Sequence, residues 1–291
     1  MNCGAATDTG LHRASNEDRY WIDAERGIFL VVDGVGGHAG GQTAAHTAVE
    51  EIRQRLMDVQ GTPEERVRDA ITSANNRIFD LAQESTDRRG MACVLTLALV
   101  EDGNVTIGHV GDSRLYLVWH GALRKMTSDH SPVGEEEDAG ELTEDEAMRH
   151  PRRHQIFRDV GSQRRGAGDP AFIEIRQCRL RPDAALLLCS DGLTDQVPAA
   201  RLREVIESYD GDAARIAGEL VEAANRAGGR DNATALFVAG AEFRGRTGAT
   251  RARFSTTRLR PARLLTGRMA FLAYGVLIGM LVWAVLRGVR G

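Results

Sequence analysis

Residues 91–100, 105–110 and 115–119 are three strand-like stretches in succession, separated only by short turns. Parallel neighbours need a crossover of about a dozen residues or more, so the sheet they form has to be antiparallel. Glu101-Asp102-Gly103-Asn104 and His120-Gly121 supply hairpin-type turn chemistry within this stretch and at its end. Short apolar runs bounded by turn residues place further strands over 28–32, 172–177, 184–190 and 233–239. Apolar residues at helical spacing cover 38–58 and 64–84, the second opening with Thr62-Pro63, a cap followed by a first-turn proline. Two more helices, over 198–208 and 212–227, fall between the last two strands. Helices and antiparallel strands therefore cluster in separate stretches, which is α+β layering.

Charge divides the chain differently. The net charge of the 291 residues is −4, yet residues 1–243 hold 27 basic against 41 acidic groups, while residues 244–291 hold ten Arg and no acid. So acidic a body excludes a nucleic-acid-binding domain, which would present a basic face. Residues 269–286 are 18 uncharged, mostly apolar positions bounded by Arg268 and Arg287. As a helix they would extend about 27 Å, close to the ~30 Å hydrocarbon core of a bilayer. The expectation is a C-terminal transmembrane helix, preceded by an Arg-rich juxtamembrane linker over 244–268 that meets an anionic leaflet. Eight Arg precede the span and two follow it, which places the long N-terminal part in the cytoplasm, single-pass at the cytoplasmic membrane. Gly275 and Gly279 form a GxxxG pair through which two such helices would dimerise. The N-terminus carries no secretory signal pattern.

Cys3, Cys93, Cys178 and Cys189 stand far apart, without a CxxC pair, and fit neither a zinc site nor a disulfide framework. Cys93 and Cys189 lie in apolar runs and are expected to be buried. A thiol phosphatase needs Arg six residues after its nucleophile; those positions are Thr9, Leu99, Ala184 and Asp195. Residues 128–168 read as a polar, mobile excursion with one short helix over 143–149, and the acidic run 135–138 as carboxylates that repel one another and stay solvated.

The informative residues are aspartates at the ends of apolar strands. Asp33 leads into Gly34-Val35-Gly36-Gly37-His38, and Asp191 ends Leu188-Cys189-Ser190. Asp112 sits between two strands, Asp231-Asn232 precedes the last strand, and Glu17-Asp18 precedes the first. One Asp-Gly is merely a turn signal. Five aspartates at core strand ends need neutralising, and a hard divalent cation does this best. Oxygen-only ligation favours Mg²⁺ or Mn²⁺ over zinc.

Thr9-Gly10-Leu11-His12-Arg13-Ala14-Ser15-Asn16-Glu17-Asp18, Val32-Asp33-Gly34-Val35-Gly36-Gly37-His38, Gly111-Asp112-Ser113-Arg114, Thr127-Ser128-Asp129-His130, Ser190-Asp191-Gly192-Leu193 and Arg230-Asp231-Asn232 lie in this order within residues 7–239. The series resembles that of bacterial protein phosphatase 2C-like, metal-dependent serine/threonine phosphatases. The resemblance implies a four-layer sandwich of two antiparallel β-sheets flanked by helices over residues 1–243. It also makes residues 131–168, with Glu146 and His150-Pro151, a flap beside the site.

By the same resemblance, Asp33 would bridge two Mn²⁺ or Mg²⁺ ions and the Gly34 carbonyl would bind one of them. Asp191 and Asp231 would complete the first ion's protein ligands; Asp18 would serve the second, with Glu17 as alternate and Asn232 beside them. Asp112 with Asp191 looks like the pair that takes a third, looser ion. Arg13 matches the arginine that grips the substrate phosphate. Val35 stands where some members have a histidine that acts as general acid, which leaves the proton donor unassigned, with a metal-bound water as one candidate. The implied activity is hydrolysis of phosphoserine and phosphothreonine by metal-activated water. Its substrates would be phosphoproteins made by a cognate serine/threonine kinase at the membrane. A non-catalytic phosphoprotein- or kinase-binding scaffold of the same fold is the alternative, but such a module would be expected to have lost some of Asp33, Asp112, Asp191 and Asp231, and all four are present. Hydrolysis of small phosphate esters is a further alternative.

Overall fold

The computed structural model describes residues 1–245, apart from 36–38, 86–87 and 167. Its strands are β1 (Asn2–Asp8), β2 (Arg19–Asp23), β3 (Ile28–Val35), β4 (Ala92–Glu101), β5 (Asn104–Val110), β6 (Arg114–Trp119), β7 (Ala122–Lys125), β8 (Glu174–Arg179), β9 (Ala185–Cys189) and β10 (Ala233–Ala239). Helices α1 (Ala39–Leu56) and α2 (Pro63–Glu84) precede β4, α3 (Pro132–Ala139) and α4 (Glu144–Met148) precede β8, and α5 (Asp191–Thr194), α6 (Ala199–Glu207) and α7 (Ala213–Arg226) precede β10. One sheet runs β1-β10-β9-β6-β7 and the other β2-β3-β4-β5-β8, with every pairing antiparallel.

Strand alternation builds four layers. On β3, Ile28, Leu30 and Val32 pack with α1 and α2, whereas Phe29 and Val31 face the opposite sheet. On β9, Leu186 and Leu188 enter the space between the sheets, and Ala185, Leu187 and Cys189 pack with α6 and α7. Both faces of the central strands are thus buried, which explains their continuous apolar runs. Cys93 and Cys189 are buried among them, as expected.

The three successive strands do not share one sheet. β4 and β5 pair, but β6 pairs with β7 and β9, so the chain changes sheets at Gly111-Asp112-Ser113. Gly111 makes this crossing at φ 108°, where an added Cβ would stand 2.2 Å from Val94. Antiparallel pairing was correctly implied; sheet membership was not, because a turn sequence fixes reversal but not the partner. Strands β1, β2 and β7 escaped the sequence reading. All three are edge strands, which need not bury both faces and so carry a weak apolar signal.

The excursion after β7 is held at several points. Cys93 and Val160 exchange both backbone hydrogen bonds, at 3.0 and 2.8 Å, and Asn75 on α2 bonds Gly161 N–H and Gln163 C=O. The short helix is present as α4, where Thr143 and Glu146 cap one another reciprocally. The acidic run forms part of a second helix, α3, capped by Ser131. Its carboxylates are not merely solvated: Glu137 accepts from Arg114 Nη2 at 2.8 Å, and Asp138 forms an ion pair with Lys125, its carboxylate 2.6 Å from Nζ. Cations on β6 and β7, distant in sequence, supply the compensation that a local reading lacked. Residues 246–291, which include all but the first two residues of the expected linker, the span and the Gly275/Gly279 pair, lie outside the described residues. Among the described residues, no helix is long and apolar enough to cross a membrane.

Candidate metal centre

Antiparallel pairing brings the aspartates to one end of the sandwich. Asp33 lies near the end of β3, opposite Val94 at the start of β4; Asp18 immediately precedes β2, and Asp112 follows β5. From the other sheet, Asp191 follows β9 and Asp231 stands two residues ahead of β10. Side chains join the two sheets here: Ser190 Oγ and Thr234 Oγ1 donate to Asp18 Oδ2 at 2.7 and 2.6 Å.

The convergence has an electrostatic consequence. Burial drives the Asp33 carboxyl well above the usual carboxylate range, reinforced by the charges of Asp18, Asp191, Asp112 and Asp231. Burial also pushes Asp18 up to about 7, opposed by the Thr234 and Ser190 hydroxyls and aided by Asp191 and Asp231. Asp112 is raised well above its ordinary value by burial and then by Asp191, Asp129 and Asp195. Asp18 Oδ1 is buried without a hydrogen-bond partner. An orphaned carboxylate oxygen amid like charges fits a hard divalent cation, and the oxygen donors around it suit Mn²⁺ or Mg²⁺.

Close backbone approaches shape the nest. A Cβ on Gly34 would lie 2.4 Å from the Gly41 carbonyl oxygen, and one on Gly41 would lie 2.1 Å from Glu17 Oε2. Only glycine at both positions lets β3, α1 and Glu17 meet this closely. Similarly, a Cβ on Gly192 would stand 1.9 Å from the Asn232 carbonyl oxygen. Asn232 works as a clamp: Nδ2 donates to Thr9 O at 2.8 Å and Ser15 O at 2.9 Å, while Oδ1 accepts from Glu17 N–H at 2.8 Å. It thereby fixes the segment that carries Arg13, Glu17 and Asp18. Arg13 Nη2 rests on Asp231 Oδ2 at 2.6 Å with its side chain half exposed. Val35 is exposed at the rim.

Asp195 and His154 were not singled out from sequence. Asp195 lies one helical turn beyond Asp191, its N–H bonded to Asp191 O at 2.7 Å, and that i,i+4 spacing was the available signal. Burial, followed by the charge of Asp191, pushes its carboxyl up to about 7. His154 comes from the excursion, 3.8 Å from Asp191 and 3.4 Å from Asp195; the facing Asp191 carboxylate, with Asp195, raises its pKa. A second group, His109, His130 and Glu174, serves as a brace. His109 meets Thr96 Oγ1 and Gly111 O, each at 2.9 Å, and His130 Nδ1 accepts from Gly111 N–H at 3.0 Å. The Gly111 peptide ahead of Asp112 is gripped on both polar atoms.

Two stacked antiparallel sheets with a carboxylate nest at their common end define a site of the kind that binds hard divalent cations. The chain belongs to the protein phosphatase 2C family, whose model matches residues 12–226. It is similar to the serine/threonine phosphatase stp of Listeria monocytogenes, with 33% identity over 246 residues, covering 82% of this chain and 95% of that one. Among solved structures, the serine/threonine phosphatase PstP/Ppp of Mycobacterium tuberculosis superposes with a TM-score of 0.73 at 30% identity, over 82% of this chain and 98% of that one. The catalytic domain of PstP in complex with two manganese ions gives 0.70 at 30% identity, over 81% and 96%.

Proposed function

We propose that this chain hydrolyses phosphoserine and phosphothreonine in proteins, using water at a Mn²⁺ or Mg²⁺ centre. The observation that carries this is that the strand ends gather Asp33, half-buried, with Asp18, Asp112, Asp191 and Asp231 at one end of the sandwich. When bound, divalent cations supply the positive charge that acidifies water and offsets charge on the phosphoryl oxygens. Asp33, the Gly34 carbonyl, Asp191 and Asp231 would hold one cation, Asp33 and Asp18, with Glu17 as alternate, a second, and Asp112 with Asp191 a third. Asn232 orients this set through the segment it clamps. Arg13, half exposed and carried by that segment, is placed to release Asp231 and grip the substrate phosphate with its planar fork. Val35 offers no proton, so the leaving oxygen has to take one from elsewhere, water at the centre being one source.

The test is manganese-dependent phosphate release by the full-length protein from phosphothreonine and phosphoserine peptides, with nucleotides alongside. Release from the peptides supports the reading. Release from nucleotides alone would reassign the substrate to small phosphate esters, and binding of phosphopeptides without release would make the chain a scaffold.

The Arg-rich segment 244–268 and the apolar segment 269–286 support a further part of the proposal, a tether to the inner face of the cytoplasmic membrane. There the enzyme would act on the substrates of a membrane-associated serine/threonine kinase, with Gly275 and Gly279 available for pairing. Membrane fractionation of the full chain against one ending at Arg244 tests the tether; recovery of both in the soluble fraction would end it.

A further inference from the structure

Beside Asp231 the surface opens into a cleft of about 190 Å³, lined by Arg13, Arg153, His154, Gln196, Arg230 and Asp231, with Asp195 at its wall. Two of its three guanidiniums are already matched by carboxylates. Arg13 lies 2.6 Å from Asp231, and Arg153 Nε lies 3.1 Å from Asp195. Arg230 is different: among the described residues its guanidinium has no carboxylate partner. It also lines a neighbouring recess of about 330 Å³, where Arg149 is paired with Asp145 at 2.7 Å, so there too it is the unmatched cation.

Its backbone is fixed while its charge is free. Arg230 N–H donates to Gln196 Oε1 at 3.2 Å, Gly229 N–H to Ala224 O at 3.1 Å, and Leu11 N–H to Gly229 O at 2.6 Å. The next residue is Asp231, so the two Cα atoms are only ~3.8 Å apart. A water occupies ~30 Å³ in the liquid, which gives the cleft room for a carboxylate or phosphate. Residues 1–243 carry 27 basic against 41 acidic groups, and such a surface repels acidic chains. An unmatched guanidinium beside the metal nest locally reverses that field.

Resting on the phosphatase reading above, we infer that Arg230 forms a subsite for a second anionic side chain of the substrate, favouring phosphorylated segments that carry a carboxylate or another phosphate near the target residue. The experiment compares kcat/KM of the full-length enzyme with manganese on three sets of phosphothreonine peptides. One set is neutral, one carries Asp at successive flanking positions, and one carries a non-hydrolysable phosphonate there. The ratio to the neutral peptide, taken on one enzyme sample, is independent of the folded fraction. Wild type is expected to prefer an anionic flank in at least one register, on the order of fivefold. Arg230→Lys should keep the preference, Arg230→Ala should bring it to one, and Arg230→Glu should invert it in favour of lysine-flanked peptides. Preference for the phosphonate alone would assign the subsite to phosphate, and preference for both to anions generally. A wild-type ratio of one in every register, or one unchanged in Arg230→Glu, overturns the subsite while leaving the phosphatase intact. No turnover of any peptide, neutral ones included, overturns both.

Discussion

Arg13 Nη2 donates to Asp231 Oδ2 at 2.6 Å, so the residue assigned to the substrate phosphate rests on a carboxylate assigned to a cation. The guanidinium is about half exposed, with a relative side-chain accessibility of 52%, and its pair with Asp231 adds little to the fold. Arg13→Ala should therefore change the unfolding free energy by less than ~1 kcal/mol. It should still lower kcat/KM on a phosphopeptide by roughly tenfold to hundredfold, as loss of a charge-assisted hydrogen bond does. Thermal melts and steady-state kinetics on the same preparation check both. A large fall in stability with kinetics unchanged would make the residue structural.

Asp33 presents the opposite balance. Its burial among four like charges is costly without cations, so Asp33→Asn should raise the melting temperature of metal-stripped protein. The same change should lower manganese-dependent turnover by on the order of a thousandfold or more and abolish the melting shift that manganese produces. Calorimetry with and without manganese, alongside peptide turnover, reads all three. Activity within tenfold of wild type would refute the assignment.

The pH dependence follows from the same groups. Burial, chiefly, pushes Asp18 and Asp195 up to about 7 and holds Asp33 and Asp112 well above the usual range. A raised folded pKa contributes stability below the unfolded value, near ~4, that is lost as pH rises through the folded one. His154, raised by the facing Asp191 carboxylate, acts in the same direction. Buried His130, held down to about 3, and His109, also lowered, act oppositely, with stability lost as pH falls below ~6.5. Above that pH the carboxyls dominate. Metal-stripped protein should melt lower at pH 8 than at pH 6.5, by roughly 5 °C. Excess manganese should remove the slope, and a slope of the opposite sign would show that these carboxylates are not strained.

Asn232, just ahead of β10, pins the connection between β1 and β2 at Thr9, Ser15 and Glu17. Asn232→Ala strips both carbonyls and a buried N–H of their partner, at a cost of about 3 kcal/mol. For a domain of this size that corresponds to a fall of roughly 6–12 °C in melting temperature. Urea unfolding measures it, and a loss under ~1 kcal/mol would mean that water replaces the amide.

Much of this was legible in the sequence because local chemistry decided it. Thr62-Pro63 marked the start of α2, and Pro198 and Asp212 are the caps of α6 and α7. Both-face burial made the central strands read as apolar runs, while edge strands β1, β2 and β7, only partly buried, carried a weaker apolar signal. Asp33, Asp191 and Asp231 stood out because each interrupts or adjoins an apolar run. Asp195 and His154 did not, since their role depends on α5 and on an excursion returning over the site. Likewise, nothing local to residues 135–138 foretold Arg114 and Lys125 as partners.

The central claim is that carboxylates distant along the chain hold divalent cations in common. Diffraction from crystals of the protein grown with manganese, recorded on both sides of the manganese absorption edge, addresses it most directly. Anomalous peaks flanking Asp33, one bounded by Asp191 and Asp231 and one toward Asp18, are the expected result. Density free of such peaks at saturating manganese, or peaks that avoid Asp33, would contradict it.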